Sequence, residues 1–164
     1  MNKNEAPDRL WAPWRMEYIL DDSRGGGCIF CDYAKEEEDR KNLILSRGEK
    51  SFVIMNRYPY ANGHLMITPY AHLSDVSLLS DGEMLELSSE IKRSVGILKK
   101  AMFPDGFNIG MNVGKAAGAG IDDHLHMHIV PRWNGDTNFM PVLSDTRVMP
   151  EALDETYRKL KPLY

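Results

Sequence analysis

The residues best equipped for chemistry lie together in Asp123-His124-Leu125-His126-Met127-His128-Ile129-Val130-Pro131-Arg132, which holds three of the chain's five histidines. At pH 7 an imidazole can both attack an electrophile and carry a proton, because its unperturbed pKa is about 6.5. The three stand at alternate positions with Leu125, Met127 and Ile129 between and after them, the period of a half-buried strand, so all three rings are expected on one face. A rise of roughly 3.3 Å per residue puts neighbouring rings about 6.6 Å apart and the outer pair about 13 Å apart. Neighbours at that spacing can share one ion or one phosphate group. All three cannot ligate a single ion through Zn–N bonds of about 2 Å, so the spacing predicts a division of labour along the row. The bland alternative is a set of satisfied histidines on a wetted strand; strict alternation in a chain with only two others argues against it.

A second group is Cys28-Ile29-Phe30-Cys31, the only cysteines present. In a reducing compartment that spacing signals a metal half-site or a redox pair more often than a disulfide, with two packed thiols as the alternative. A third is Gly114-Lys115-Ala116-Ala117-Gly118-Ala119-Gly120-Ile121, leading directly into the histidines. Its small side chains leave backbone N–H groups accessible to an anion, although a plain flexible connection fits the composition equally well.

The elements that must position these groups follow from pattern. With 164 residues the chain suffices for one domain, residues 1–164, and falls short of two independent cores. Hydrophobic residues at 43% and charged residues at 27% describe ordinary globular material, and the net charge of −4 gives no footprint for duplex nucleic acid. There is no signal-peptide pattern and no run of the roughly 18 apolar residues that a membrane span needs, so a cytoplasmic protein is expected. Residues 1–27 form an N-terminal arm containing Trp11, Trp14 and Arg15. A short helix is expected within Tyr33 to Arg40, then strands over Leu43 to Ser46, Ser51 to Asn56, His64 to Pro69, Phe107 to Val113 and the histidine segment. Met84, Leu87, Ile91, Val95, Leu98 and Met102 recur every three or four residues, predicting one long amphipathic helix from Asp81 to about Phe103. Trp133 to Asp136 reads as a turn, Phe139 to Leu143 is apolar, and Glu151 to Leu160 reads as a final helix. The fold class expected is α+β: about five antiparallel strands with the long helix on one face.

These landmarks, in this order, resemble the histidine triad family of nucleotide-binding enzymes, named for a His-φ-His-φ-His-φ-φ strand with φ apolar. His124 to Val130 fits every position, and Cys28 to Cys31, Asn56, Gly63 to Pro69 and Asn112-Val113-Gly114 match its other landmarks. The resemblance covers residues 28 to about 132, leaving 133–164 as a C-terminal extension. The Leu10-Trp11-Ala12-Pro13-Trp14-Arg15-Met16 arm and Arg132 to Asp136 are similar to the branch containing diadenosine tetraphosphate phosphorylases.

The resemblance implies that His126 is a nucleophile attacking the α-phosphorus of a nucleotide, its tautomer fixed by the backbone carbonyl of His124. It implies that His128 and His64 donate hydrogen bonds to phosphate oxygens or the leaving group, helped by Asn112 and the amides near Gly118 and Gly120. Asn56 would hold the ribose, while Ile29 and Phe30 would form a slot for the base. Cys28, Cys31, His72 and His124 would hold a structural zinc, a closed Cys₂His₂ set with no open position for substrate. A homodimer is implied as well. Hydrolytic members carry polar residues, typically glutamine with serine or threonine, where this chain has Gly118-Ala119-Gly120-Ile121. The room left there favours inorganic phosphate as second acceptor, hence phosphorolysis of diadenosine tetraphosphate to ATP and ADP. The alternatives are a hydrolase of dinucleoside polyphosphates or nucleoside phosphoramidates, and a non-catalytic AMP-binding regulatory module.

Overall fold

A computed structural model describes residues 27–137 and 149–164. The expectations for the N-terminal arm and for Phe139 to Leu143 lie outside the described residues. Five strands form one antiparallel sheet: β1 (Ile44–Arg47), β2 (Ser51–Met55), β3 (Leu65–Pro69), β4 (Gly106–Met111) and β5 (Met127–Arg132), in the order β1-β2-β3-β5-β4. The α+β class is as the sequence predicts.

The helices are α1 (Ile29–Lys35), α2 (Asp39–Asn42), α3 (Asp81–Met102) and α4 (Leu153–Leu160). α3 begins at a capping box, in which Ser80 Oγ accepts from the Glu83 N–H while the Glu83 carboxylate accepts from the Ser80 N–H. It ends at Phe103 in the left-handed region, followed by Pro104. The helix lies across β2, β3 and β5, burying Leu87 and Leu98. Alternation turns Val53, Leu65, Ile67 and Ile129 towards one side of the sheet, and Phe52, Ile54, Met66 and His128 towards the other. α1 covers this second side.

At seven residues α1 is too short to be stable alone. It is held by the burial of Phe30 and by Arg47, whose guanidinium donates to the carbonyls of Tyr33, Ala34 and Glu36 and to Asp39. The structure corrects the expected helix over Tyr33 to Arg40. There are two short helices, and the first starts inside the cysteine pair because Cys28 occupies its N-cap position and Phe30 needs a buried face. A second correction concerns the histidine strand, whose ladder begins at Met127, after His124 and His126. Before it, side chains replace the ladder bonds: Thr68 Oγ1 donates to Leu125 O and the His124 ring to Pro69 O. The final helix starts at Leu153 and not at Glu151, whose carboxylate instead accepts from Thr156 Oγ1 and Lys159.

Candidate active site and metal centre

The first and second histidines of the row part company. The His124 ring is buried against Phe30, ring centroids 5.3 Å apart, and its Nε2 lies 2.9 Å from Pro69 O. A carbonyl oxygen only accepts, so Nε2 carries the proton and Nδ1 keeps a lone pair. That lone pair faces sulfur: Nδ1 is 3.2 Å from Cys28 Sγ and 3.6 Å from Cys31 Sγ, and His72 Nδ1 is 3.3 Å from Cys31 Sγ.

One ligand atom from each of Cys28, Cys31, His72 and His124 falls within 4.8 Å of the other three. A tetrahedral ion with Zn–S of about 2.3 Å and Zn–N of about 2.0 Å separates sulfur from nitrogen by about 3.5 Å, so the donor set and its spacing fit zinc. One support matches what a metal-binding imidazole needs, since Pro69 O holds the remote nitrogen of His124; the Asp123 carboxylate lies 3.7 Å from His72 Nε2, beyond hydrogen-bond distance. Burial is the main cause holding the His124 imidazole below its ordinary pKa, which keeps it neutral. Burial likewise pushes the Cys28 thiol up to about 11.

His126 turns the other way. Its Nδ1 lies 2.9 Å from the backbone oxygen of His124, so Nδ1 carries the proton and the basic nitrogen is Nε2. Its ring packs on Phe30 at 5.2 Å and meets the His128 ring at 4.8 Å in an edge contact, closer than the 6.6 Å expected from strand geometry alone. Residues 124 to 126 lie outside the ladder, and the rings tilt towards each other.

His128 has its own support. His64, 1% exposed, places Nε2 at 2.9 Å from His128 Nδ1. The opposite nitrogen of His64 accepts from the Tyr60 backbone N–H at 3.0 Å and faces the Asn56 amide nitrogen at 3.3 Å. Two donors on Nδ1 leave the His64 proton on Nε2, so His64 donates to His128 Nδ1 and the proton of neutral His128 sits on Nε2. The Tyr60 ring covers both, at 4.6 Å from His64 and 5.7 Å from His128.

A cavity of about 400 Å³ opens beside these rings, lined by His126 and His128 at one end and by Ile29, Phe30, Ile54, Asn56, Met66 and Gly120 among others. Of the residues expected to touch substrate, it thus brings together His126, His128, Asn56, Ile29, Phe30 and Gly120. Asn56 uses its side-chain oxygen to accept from the Tyr58 N–H and its nitrogen to face His64. His64 stands behind His128, and neither it nor Asn112 nor Gly118 is part of the wall. Gly118 instead takes φ +85° at the end of the Lys115–Ala117 turn, a conformation that favours glycine. Sequence reasoning missed Asn42, Tyr33 and Met66, which also line the cavity. Met66 had a signal, since it follows His64 by two residues on an alternating strand. Asn42, in a charged stretch, had none.

A family model described as the HIT domain matches residues 37–135. The AP-4-A phosphorylase of Mycobacterium tuberculosis is 35% identical, over 98% of this chain and 86% of its own length. The adenosine 5′-monophosphoramidase of Schizosaccharomyces pombe is 29% identical, over 65% of this chain and 75% of its own. Among solved structures, a Zn-bound histidine triad family protein from Mycobacterium smegmatis superposes with a TM-score of 0.67 at 25% identity, covering 84% of this chain and 92% of that one.

Proposed function

The chain belongs to the histidine triad family, whose members process nucleotides, and on that footing we propose that it cleaves diadenosine tetraphosphate with inorganic phosphate to give ATP and ADP. One observation carries the reading: His126 holds Nδ1–H on a carbonyl, so that Nε2 is its nucleophilic nitrogen, while the ring lines a cavity beside an imidazole that donates.

In the first step the Nε2 lone pair forms a bond to the α-phosphorus as the bond from that phosphorus to the bridging oxygen breaks, and ATP leaves. The ring becomes an N-phosphorylated imidazolium. Its positive charge strengthens the Nδ1–H bond to the His124 oxygen, an interaction worth more in the transition state than in the ground state. The Nε2–H of His128 is placed to donate to the developing charge on phosphate or leaving oxygen, the usual dominant contribution in phosphoryl transfer. In the second step an oxygen of inorganic phosphate attacks the same phosphorus, the P–N bond breaks, and ADP departs with His126 restored. His64, with both nitrogens engaged inside the protein, sets the tautomer of His128 and is a positioning residue.

Asn56 is proposed to meet the ribose, Ile29 and Phe30 the base, and the backbone of Gly118 and Gly120, with Asn112, the outer phosphates. The similarity to a phosphorylase over 98% of the chain and the lack of a side chain at Gly120 support phosphate over water as the second acceptor. The hydrolase reading draws its support from the monophosphoramidase likeness. Zinc at Cys28, Cys31, His72 and His124 would act as a structural tie between α1 and the segment entering β5. We propose a homodimer, with the edge strand β4, whose Ile109 is 45% exposed, as the region to be covered. Among the described residues no helix is long and apolar enough to cross a membrane.

Incubation with diadenosine tetraphosphate, with and without phosphate, tests the reading by product. ADP plus ATP, only when phosphate is present, is the expected result. AMP plus ATP identifies a hydrolase, and no turnover with retained AMP binding identifies a regulatory module.

A further inference from the structure

We propose that Asn42 reads the base: its side-chain oxygen accepts a hydrogen bond from an exocyclic amino group, so the site selects 6-aminopurine over 6-oxopurine nucleotides. The inference rests on the nucleotide reading above and adds to it the residue that discriminates between bases.

Asn42 closes α2 and is only 2% exposed, yet it lines the cavity. An amide can in principle present either end, but here its orientation is determined. The nitrogen lies 2.7 Å from the Glu36 carboxylate, a group that at neutral pH only accepts, so the NH₂ must face Glu36 and the oxygen must face away. That oxygen has no hydrogen-bond partner among the described residues, and it is not sealed in: the fully buried side-chain oxygen that lacks a partner among them is Glu90 Oε2. Because Asn42 lines the cavity and its nitrogen is held by Glu36, the geometry assigns the unmatched oxygen to whatever fills that cavity. Leu43, next in the chain, adopts φ 61° and ψ 28°, the left-handed turn that swings the chain from α2 into β1 and leaves Asn42 at the rim of the sheet.

The position suits a base and not a phosphate. His128 pairs with Met66, Met66 with Ile54, and Ile54 with Ile44, a single cross-strand row on the α1 side of the sheet. From β5 to β1 that row crosses three strand spacings, about 14 Å. Asn42, two residues before Ile44, thus stands at the end of the cavity remote from the imidazoles, with the apolar Ile54 and Met66 between. A nucleotide with its α-phosphate at His126 sends its base in this direction. An amino group meeting the Asn42 oxygen forms a hydrogen bond, whereas a carbonyl there sets acceptor against acceptor, the arrangement that gives a polar site its discrimination.

The test compares binding of AMP, IMP and purine riboside 5′-monophosphate, which has hydrogen at position 6, by calorimetry on the full chain. AMP should bind about tenfold more tightly than the 6-hydrogen analogue, with IMP weakest. Asn42→Ala should reduce AMP to the level of the 6-hydrogen analogue while leaving that analogue unchanged. Glu36→Gln offers a route that keeps the fold: Glu36 is 42% exposed, and a neutral amide in its place can donate to the Asn42 oxygen, letting Asn42 turn over and narrowing the AMP to IMP ratio. Equal binding of all three nucleotides by the unsubstituted chain, or an unchanged ratio in both variants, overturns the role of Asn42 and leaves the nucleotide reading intact. Failure of every nucleotide to bind the unsubstituted chain overturns both.

Discussion

The Nδ1 nitrogen of His126 lies 2.9 Å from the backbone oxygen of His124. His124 therefore offers its ring to the cysteine cluster and its carbonyl to the neighbouring imidazole, so the cluster and the cavity are joined through one residue. Replacing His126 with alanine removes the proposed nucleophile from the cavity wall and leaves the four side chains of the cysteine cluster in place. Turnover of diadenosine tetraphosphate should fall by at least about 10⁴-fold, while AMP affinity stays within a few-fold. Turnover close to that of the unsubstituted chain would refute the assignment.

His64 should behave differently from His126. Its ring is buried and fixes the proton of His128 through a 2.9 Å contact, so His64→Ala lets His128 adopt the wrong tautomer without removing a group from the cavity wall. The expected loss is about 10²-fold in kcat with KM nearly constant. A pH–rate profile separates this from simple unfolding: the limb that depends on His128 should move in the variant, whereas a merely structural role would scale the whole profile down.

Much of this was legible in the chain, and the reasons are local. Alternation in His124 to Ile129 announces a shared face because the side-chain period of an extended segment is two, and the apolar spacing from Met84 to Met102 announces a helix for the corresponding reason. The five-stranded antiparallel sheet follows from those patterns and their turns. What pattern could not supply is direction. The family resemblance implies that His64 is a substrate contact, whereas its partners in the structure are the Tyr60 N–H, four residues before it, and the ring of His128, 64 residues after it. The start of α1 within the cysteine pair was equally hidden, since a seven-residue helix owes its existence to Arg47 on β1 and not to its own propensity. Asn42 sits among charged residues and carries no periodic signal at all.

The cysteine cluster makes a prediction about composition. Purified from zinc-containing medium, the chain should hold about one zinc per polypeptide, and Cys31→Ser should lower both that stoichiometry and the thermal midpoint. His72 is 46% exposed and its Nε2 lies 3.7 Å from the Asp123 carboxylate, close enough for the two to meet once His72 is held by an ion, so Asp123→Ala should weaken zinc affinity by up to roughly 10-fold without removing a ligand. Metal analysis with a competing chelator measures both effects. A parent protein without stoichiometric zinc would eliminate the site.

Arg47 links stability to the cavity. Its guanidinium contacts three carbonyls at the end of α1 at 2.6 to 3.0 Å, and its Nε lies 2.8 Å from Asp39. Arg47→Ala leaves those acceptors unmatched and should cost about 2–3 kcal/mol in urea denaturation. Because α1 carries Ile29, Phe30 and Tyr33 into the cavity wall, AMP affinity should weaken in the same variant. Asp39 adds a pH dependence. Burial opposes ionisation of its carboxyl, but hydrogen bonds from Arg47 and Lys161 outweigh that and hold its pKa below the usual carboxylate value. A folded-state pKa below the unfolded one contributes stability that is fully present above the unfolded value of about 3.9 and is lost as pH falls through the folded value. Asp39→Asn should therefore be less stable than the parent at pH 7 and lose less on acidification below about pH 4. Urea midpoints measured from pH 7 down to pH 3 check this: parallel curves for parent and variant would mean that ionised Asp39 gains no net stability from Arg47 and Lys161.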